Sequence, residues 1–400
     1  MPLMQNSAVA MTKPVACDIF CKVIDNYGDI GVCWRLARQL ANEFDISVRL
    51  WVDDLKSLAR LCPDVDVALD MQRCRKVEVR LWGVAFLEVV PADLVIETFS
   101  CKLPEPYLAM MVASQVWINL EYLSAEDWVE GCHRLPSPHP PLTRYFFFPG
   151  FTQKTGGLIL ERDLLARRDA FSKDTVQQRA FWQSIGMDAP SGNTLKISLF
   201  AYENAALAGL FDAWSQSARP VLCLVPQGRI LPQVVNYFGE GGGRYARGNL
   251  QVVLLRFVEQ EKYDELLWAC DINFVRGEDS FVRAQWAGKP FVWQIYPQHD
   301  EVHWKKLQAF LALYCNELSP QAAQAMQYLW GAWNGDEGLI VYAHATSSGQ
   351  AWREFASAQA ELERRAMAWA DELSENNLAL NLLDFFQELG TMRAFKIEGQ

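Results

Sequence analysis

The chain has 400 residues, half of them hydrophobic and 12% aromatic, with 15 tryptophans, enough apolar material for two or three domains with sizeable cores. A formal net charge of -11 and a pI near 5.1 weigh against a non-specific nucleic-acid binder and leave room for a basic partner. The ten cysteines include no CxxC pair and no Cys/His metal spacing, so they read as buried thiols of a cytoplasmic protein, and no run is apolar for long enough to span a bilayer.

Residues 1–16 read as an N-terminal tail without the pattern of a signal peptide. From Cys17 to Ile24 the sequence is apolar and β-prone. A Gly-punctuated turn follows, Asp25-Asn26-Tyr27-Gly28-Asp29-Ile30-Gly31, and then Val32, Leu36, Leu40 and Phe44 recur with helical spacing. Such a strand, tight loop and helix create the place where open α/β sheets bind ligands. Two readings of its acids stay open. Asp29 fits a helix N-cap and Asp25-Asn26 ordinary turn chemistry, while two acids beside Gly28 and Gly31 also fit an acidic pocket.

Strands are expected over 46–52, 77–81, 93–97 and 116–120, with helices over 54–61 and 107–112, a βαβ rhythm that implies a mostly parallel sheet. Around 119–124, 136–141 and 146–152 the pattern turns aromatic and loop-like, and Asn119, Glu121 and Tyr122 are expected to line a cleft. A charged, helix-compatible stretch over 160–182 ends at a Gly/Pro-rich boundary, 186–192. A second series then has strands over 195–200, 220–225, 250–255, 271–275 and 290–295, helices over 204–216, 261–269 and 280–287, and a helical tail over 351–389. The expected fold is therefore α/β, with Rossmann-like domains over 17–185 and 193–375 facing each other across a cleft and residues 376–400 packing back across them. That is the outline of the GT-B nucleotide-sugar glycosyltransferases.

The second stretch with chemical content is Arg276-Gly277-Glu278-Asp279-Ser280, where a strand meets a helix. Asp279 or Ser280 is expected to cap that helix, whose exposed N–H groups and positive dipole end suit a diphosphate; Arg276 adds charge and Ser280 a hydroxyl. A plain capping box explains the same residues. His133, His139, His299, His303 and His344 have no metal-ligand spacing, and no metal is expected.

The run from Asp18 through Asp25, Asp29 and Arg35 to Arg38, together with Ser198-Leu-Phe200-Ala-Tyr202-Glu-Asn, the segment around Pro149-Gly-Phe-Thr and Thr155-Gly-Gly-Leu, and Arg276 to Phe291, resembles the bacterial protein-arginine rhamnosyltransferases that modify translation elongation factor P. The resemblance covers nearly the whole chain after the tail. It implies an inverting GT-B enzyme that moves L-rhamnose from dTDP-β-L-rhamnose to the guanidinium of one arginine, with no cofactor. The first domain would receive the protein and the second the nucleotide sugar. By the same resemblance, Asp29 matches a catalytic or orienting carboxylate, Asp25 a second carboxylate and Glu278 a required donor-side residue. Asp279 and Ser280 match diphosphate contacts, and Phe200, Tyr202, Phe257, Gln260 and Tyr263 match thymidine-binding positions, with Tyr at 263 where the family pattern has Phe. Two other readings remain: a sugar-nucleotide epimerase of the same fold, and a non-catalytic protein whose acidic cleft holds a basic loop of its partner.

Overall fold

The structure is a computed structural model that describes residues 15–24, 27–83, 89–297, 302–335, 338 and 347–398. The first half of the chain runs β1 (Ala16–Cys21), α1 (Gly28–Glu43), β2 (Ser47–Val52), α2 (Leu55–Leu61), β3 (Met71–Cys74), β4 (Val77–Leu81), β5 (Leu94–Thr98), α3 (Glu105–Met110), β6 (Val116–Leu120), α4 (Trp128–Cys132), β7 (Pro136–His139), β8 (Leu142–Phe147), α5 (Leu164–Lys173) and α6 (Thr175–Ser184). The second runs β9 (Leu195–Leu199), α7 (Leu207–Ser215), β10 (Val221–Val225), α8 (Leu231–Phe238), β11 (Arg244–Arg247), β12 (Leu250–Leu254), α9 (Gln260–Ala269), β13 (Ile272–Arg276), α10 (Asp279–Ala287) and β14 (Phe291–Gln294). Helices α11 (Val302–Cys315), α12 (Pro320–Asn334), α13 (Ser348–Ser357), α14 (Gln359–Leu373) and α15 (Leu378–Glu398) complete it. The tail proposed for 1–16 falls largely on residues 1–14, outside the described residues.

Two sheets result. The first has the order β3-β4-β2-β1-β5-β6-β8-β7 and the second β11-β12-β10-β9-β13-β14, parallel except where β3, β7 and β11 pair antiparallel with their neighbours. Central strands of such sheets are covered on both faces and read as continuous apolar runs, as in β10; β13 is buried throughout as well, though it carries Asn273 and Arg276. Within β1 the exception is Asp18, fully buried and gripped by Arg49 Nε and Nη2, each at 2.6 Å, with the Trp51 indole donating at 3.1 Å. In each sheet the strand order reverses at one point, beside β1 in the first and beside β9 in the second, and ligands bind beyond the strand ends there.

The α/β class and its paired Rossmann-like layout agree with the sequence. The stretches 136–141 and 146–147, expected to be loop-like, instead belong to the hairpin β7–β8, with β8 joining β6 in parallel. Pro136 and Pro138 obscured it, and they are tolerated because β7 is the outermost strand, where a missing N–H leaves no ladder bond unmade. Core membership also crosses the 186–192 boundary. From α5 and α6, Leu164, Phe171, Phe181 and Trp182 pack into the core of the second half, whereas Leu378, Leu382 and Phe385 of α15 pack into the core of the first. The chain thus crosses between its halves twice.

Candidate active site

The first helix begins at Gly28, with Tyr27 as its N-cap, whose side chain makes no cap hydrogen bond. Asp29 is therefore not the cap that its position suggested. It lies inside the first turn, 3% exposed, and its Oδ2 accepts the Ile24 N–H at 2.8 Å, folding the turn back onto the end of β1. Asp25, with Asn26, lies outside the described residues. Tyr122, just past β6, stacks on Phe99 with ring centroids 4.3 Å apart, and Lys306 Nζ of α11 stands 5.7 Å from its ring centre. Burial pushes the Tyr122 phenol well above its usual range, reinforced by the charges of Asp29 and Glu278 and by its hydrogen bond to Asp29. Of the three polar residues expected along the cleft, only Tyr122 is in the pocket wall with Asp29. Asn119 is fully buried, its amide donating to Ser100 Oγ at 3.0 Å, and Ser100 Oγ in turn reaches Glu121 Oε1 at 3.2 Å.

Across the cleft, β13 ends at Arg276 and α10 begins at Asp279, with Glu278 as N-cap and again no side-chain cap bond. The expected cap by Asp279 or Ser280 is replaced by other pairings. Ser280 Oγ donates to the Arg276 carbonyl and accepts the Arg276 N–H at 3.1 Å, which tightens the turn. The Asp279 carboxylate turns away to Arg35 Nε, at 2.7 Å. In both α1 and α10, then, the side chain at the N-cap position makes no bond to the helix N–H groups.

Glu278 Oε2 accepts the Leu123 N–H at 3.0 Å, so the first half of the chain holds an acid of the second. Burial pushes its carboxyl up to about 8; the Asp29 and Asp279 charges add to this, and the Leu123 N–H and Lys306 oppose it. Asp29, Tyr122, Glu278 and Lys306 line one pocket with an empty volume of about 860 Å³ open to solvent, walled also by Trp293, Tyr296 and Gly28. Lys306 gave no local signal in the sequence, because it belongs to a helix that reaches the site only through packing.

Gly28 also lines a second pocket, of about 570 Å³, whose wall contains Phe200, Phe257, Gln260, Tyr263, Arg276, Asp279 and Ser280. Seven of the eight residues expected to bind the donor, from their own chemistry or from the resemblance, are thus gathered from the end of β9, the loop before α9, α9 itself, β13 and α10. The eighth, Tyr202, is not in that wall; it lies against Arg276, whose guanidinium is 4.4 Å from the Tyr202 ring centre and 4.5 Å from that of Phe200. Tyr27 joins the aromatic lining, 5.4 Å from Phe257. A flat apolar slot beside a buried cation and an uncapped helix end can hold an aromatic base and a diphosphate together.

The two halves are fastened behind these pockets. Arg35, 3% exposed, donates to Asp279, to the Gln260 carbonyl at 3.3 Å and to Glu161 at 3.4 Å. Arg283 holds Asp264 through two bonds of 2.7 and 2.8 Å and Glu161 through one of 2.6 Å. Burial would raise the Glu161 carboxyl, but Arg283 and Arg35 outweigh it and hold the group at about 2. Among the described residues no cluster of three or more His, Cys, Asp or Glu side chains could hold a metal, and His299 and His344 lie outside those residues. No helix among the described residues is long and apolar enough to cross a membrane.

Two facing Rossmann-like halves with a nucleotide-sized slot and an acidic pocket meeting at one glycine define a GT-B protein. The architecture itself is shared with epimerases: UDP-GlcNAc 2-epimerase from Neisseria meningitidis aligns at a TM-score of 0.51 over 94% of this chain and 99% of its own, at 8% identity, which is likeness of fold alone. Residues 17–387 match the model of the family described as Elongation-Factor P (EF-P) rhamnosyltransferase EarP, and the chain belongs to that family of enzymes. The protein-arginine rhamnosyltransferase of Pseudomonas putida is 50% identical over 379 residues, covering 92% of this chain and 98% of its own. A solved structure described as the structural basis for EarP-mediated arginine glycosylation of translation elongation factor EF-P aligns at a TM-score of 0.67 and 38% identity, over 94% of this chain and 99% of that one.

Proposed function

We propose that this chain transfers L-rhamnose from dTDP-β-L-rhamnose to the guanidinium of one arginine of translation elongation factor P, with inversion at the anomeric carbon. The observation that carries the reading is the junction at Gly28, where the slot of Phe200, Phe257, Gln260, Tyr263 and Arg276 adjoins the pocket of Asp29 and Glu278. Family membership supplies the acceptor and the sugar. The nucleotide base lies in the aromatic slot and the diphosphate at the α10 N-terminus by Ser280. The acceptor arginine enters the acidic pocket.

A guanidinium with a pKa above about 12 is not simply deprotonated by a carboxylate. Asp29, with Asp25 as the second carboxylate, instead binds the fork of the guanidinium and polarises it, so that one nitrogen's lone pair is less delocalised. That nitrogen attacks the anomeric carbon from the face opposite dTDP; the C–N bond forms as the C–O bond to the diphosphate breaks, and a carboxylate takes the nitrogen's proton. A β-linked donor therefore yields an α-linked product. The charge that develops on the departing diphosphate is met by the α10 N-terminus and Arg276, so no divalent metal is called for. Glu278 lines the acidic pocket next in sequence to Asp279 of the slot, and orients the acceptor against the donor.

The test is transfer itself. Purified protein, elongation factor P and dTDP-β-L-rhamnose should give one rhamnosylated arginine whose linkage is α by NMR; a β linkage rules out inversion, and transfer from another nucleotide sugar in preference to this one rules out the donor.

A further inference from the structure

We propose that Arg35 is a positioning residue for the donor: by engaging the Asp279 carboxylate from the opposite half of the molecule, it lets the α10 N-terminus accept a diphosphate. The inference rests on the donor site proposed above.

Asp279 is the acidic residue in the first turn of α10. Left to itself, a carboxylate there would associate with the helix's own N-terminal field and repel an incoming diphosphate. Instead its Oδ1 receives Arg35 Nε at 2.7 Å and its Oδ2 receives Gln260 Nε2 at 3.3 Å, so both oxygens are engaged toward α1 and α9. Arg35 cannot follow a ligand, because it is also tied to the Gln260 carbonyl, Glu161 and Asp264. The neutralising charge is therefore fixed.

The composition of this buried group sharpens the point. Three carboxylates, Asp279, Glu161 and Asp264, share two guanidinium groups, Arg35 and Arg283, and Arg283 is turned to Glu161 and Asp264. No other salt bridge to Asp279 stands among the described residues. Without Arg35, Asp279 keeps only the neutral Gln260 amide, and its charge faces the place proposed for the diphosphate.

The experiment measures dTDP affinity by titration calorimetry and the donor KM and kcat for wild type, Arg35→Gln, Arg35→Lys and the double variant Arg35→Gln/Asp279→Asn. An uncovered charge a few ångströms from a diphosphate weakens binding about tenfold or more, so Arg35→Gln should raise the dTDP dissociation constant and the donor KM by that factor, with kcat changed less. Arg35→Lys, which keeps the charge, should bind within about threefold of wild type. The double variant should recover a large part of the lost affinity, because the charge that Arg35 engaged is gone. A merely structural strut predicts no such recovery. Wild-type affinity in Arg35→Gln, or a double variant that binds no better than the single one, overturns the proposal. If Arg35→Gln shows no cooperative melt, Arg35→Lys decides alone, and tenfold weaker dTDP binding by it overturns the proposal. Failure of the wild type to bind dTDP at all would overturn the donor-site reading instead.

Discussion

A Cβ built on Gly31 would stand 3.0 Å from both the Cβ and the Cγ of Asp279, so the first turns of α1 and α10 meet so closely that a methyl group there obliges Asp279 to yield by a few tenths of an ångström. This contact sets the spacing of the two helix N-termini, and with it the distance between the acidic pocket and the nucleotide slot. Alanine is favoured over glycine inside a helix by up to about 1 kcal/mol, so Gly31→Ala should leave the melting temperature close to wild type or lower it modestly. Its kcat/KM should fall about tenfold, as α10 is pushed off α1 and the reacting groups lose register. Kinetics beside a thermal melt check this, and unchanged kcat/KM would show that the contact has no bearing on turnover.

Glu278 makes stability depend on pH. Its carboxyl is pushed up to about 8, whereas a glutamate in an unfolded chain titrates near 4.5, so the folded state binds this proton more tightly. The sign follows: the contribution is complete below about 4.5, declines as pH rises and is gone above about 8. Glu278→Gln cannot titrate, so the wild type's melting temperature relative to this variant should decline between pH 5 and 9. An arginine entering beside Glu278 favours the charged form, so acceptor binding at pH 7 should release up to about one proton, read by calorimetry in buffers of different ionisation enthalpy. A flat difference in melting temperature would contradict the raised value.

Asp29 can be changed without removing a helix cap. Asparagine keeps an oxygen for the Ile24 N–H, so Asp29→Asn should melt within a few degrees of wild type while losing about a hundredfold or more of its turnover. A variant that binds elongation factor P and still turns over would move the proton-accepting role elsewhere.

Tyr263 packs edge-on to Phe200, with ring centroids 5.7 Å apart, in the wall of the nucleotide slot. Tyr263→Phe keeps that ring and should change the donor KM by less than about threefold, whereas Tyr263→Ala should raise it about tenfold, since a base–aromatic contact is worth on the order of 1–3 kcal/mol. Equal effects from the two variants would assign the role to the hydroxyl.

The leaving diphosphate meets a helix N-terminus and Arg276 in this account, and its charge needs no divalent ion. Activity should persist in excess chelator; loss of activity with recovery on adding magnesium would contradict this.

Much of this architecture was legible in the sequence because it is locally encoded. The β1 run, its glycine turn and the helical spacing from Val32 define one switch point, and the strand that ends at Arg276 defines the other. What stayed hidden depends on contacts distant in sequence. Asp29 and Ser280 look like caps from their neighbours, yet their oxygens are engaged by Ile24 and Arg276. Arg35 reads as one more residue of an amphipathic helix until Asp279, 244 positions away, comes into contact with it. Lys306 reaches Tyr122 only because α11 packs against the second half, and the prolines of β7 concealed a strand that an edge position permits.

The most direct test is the intact mass of elongation factor P after incubation with this protein and dTDP-β-L-rhamnose, beside an Asp29→Ala control. The account predicts a single deoxyhexose on one arginine with the wild type and none with the variant. No added mass while the two proteins still bind would contradict it and leave a binding protein with an acidic cleft; equal modification by both would contradict the role given to Asp29.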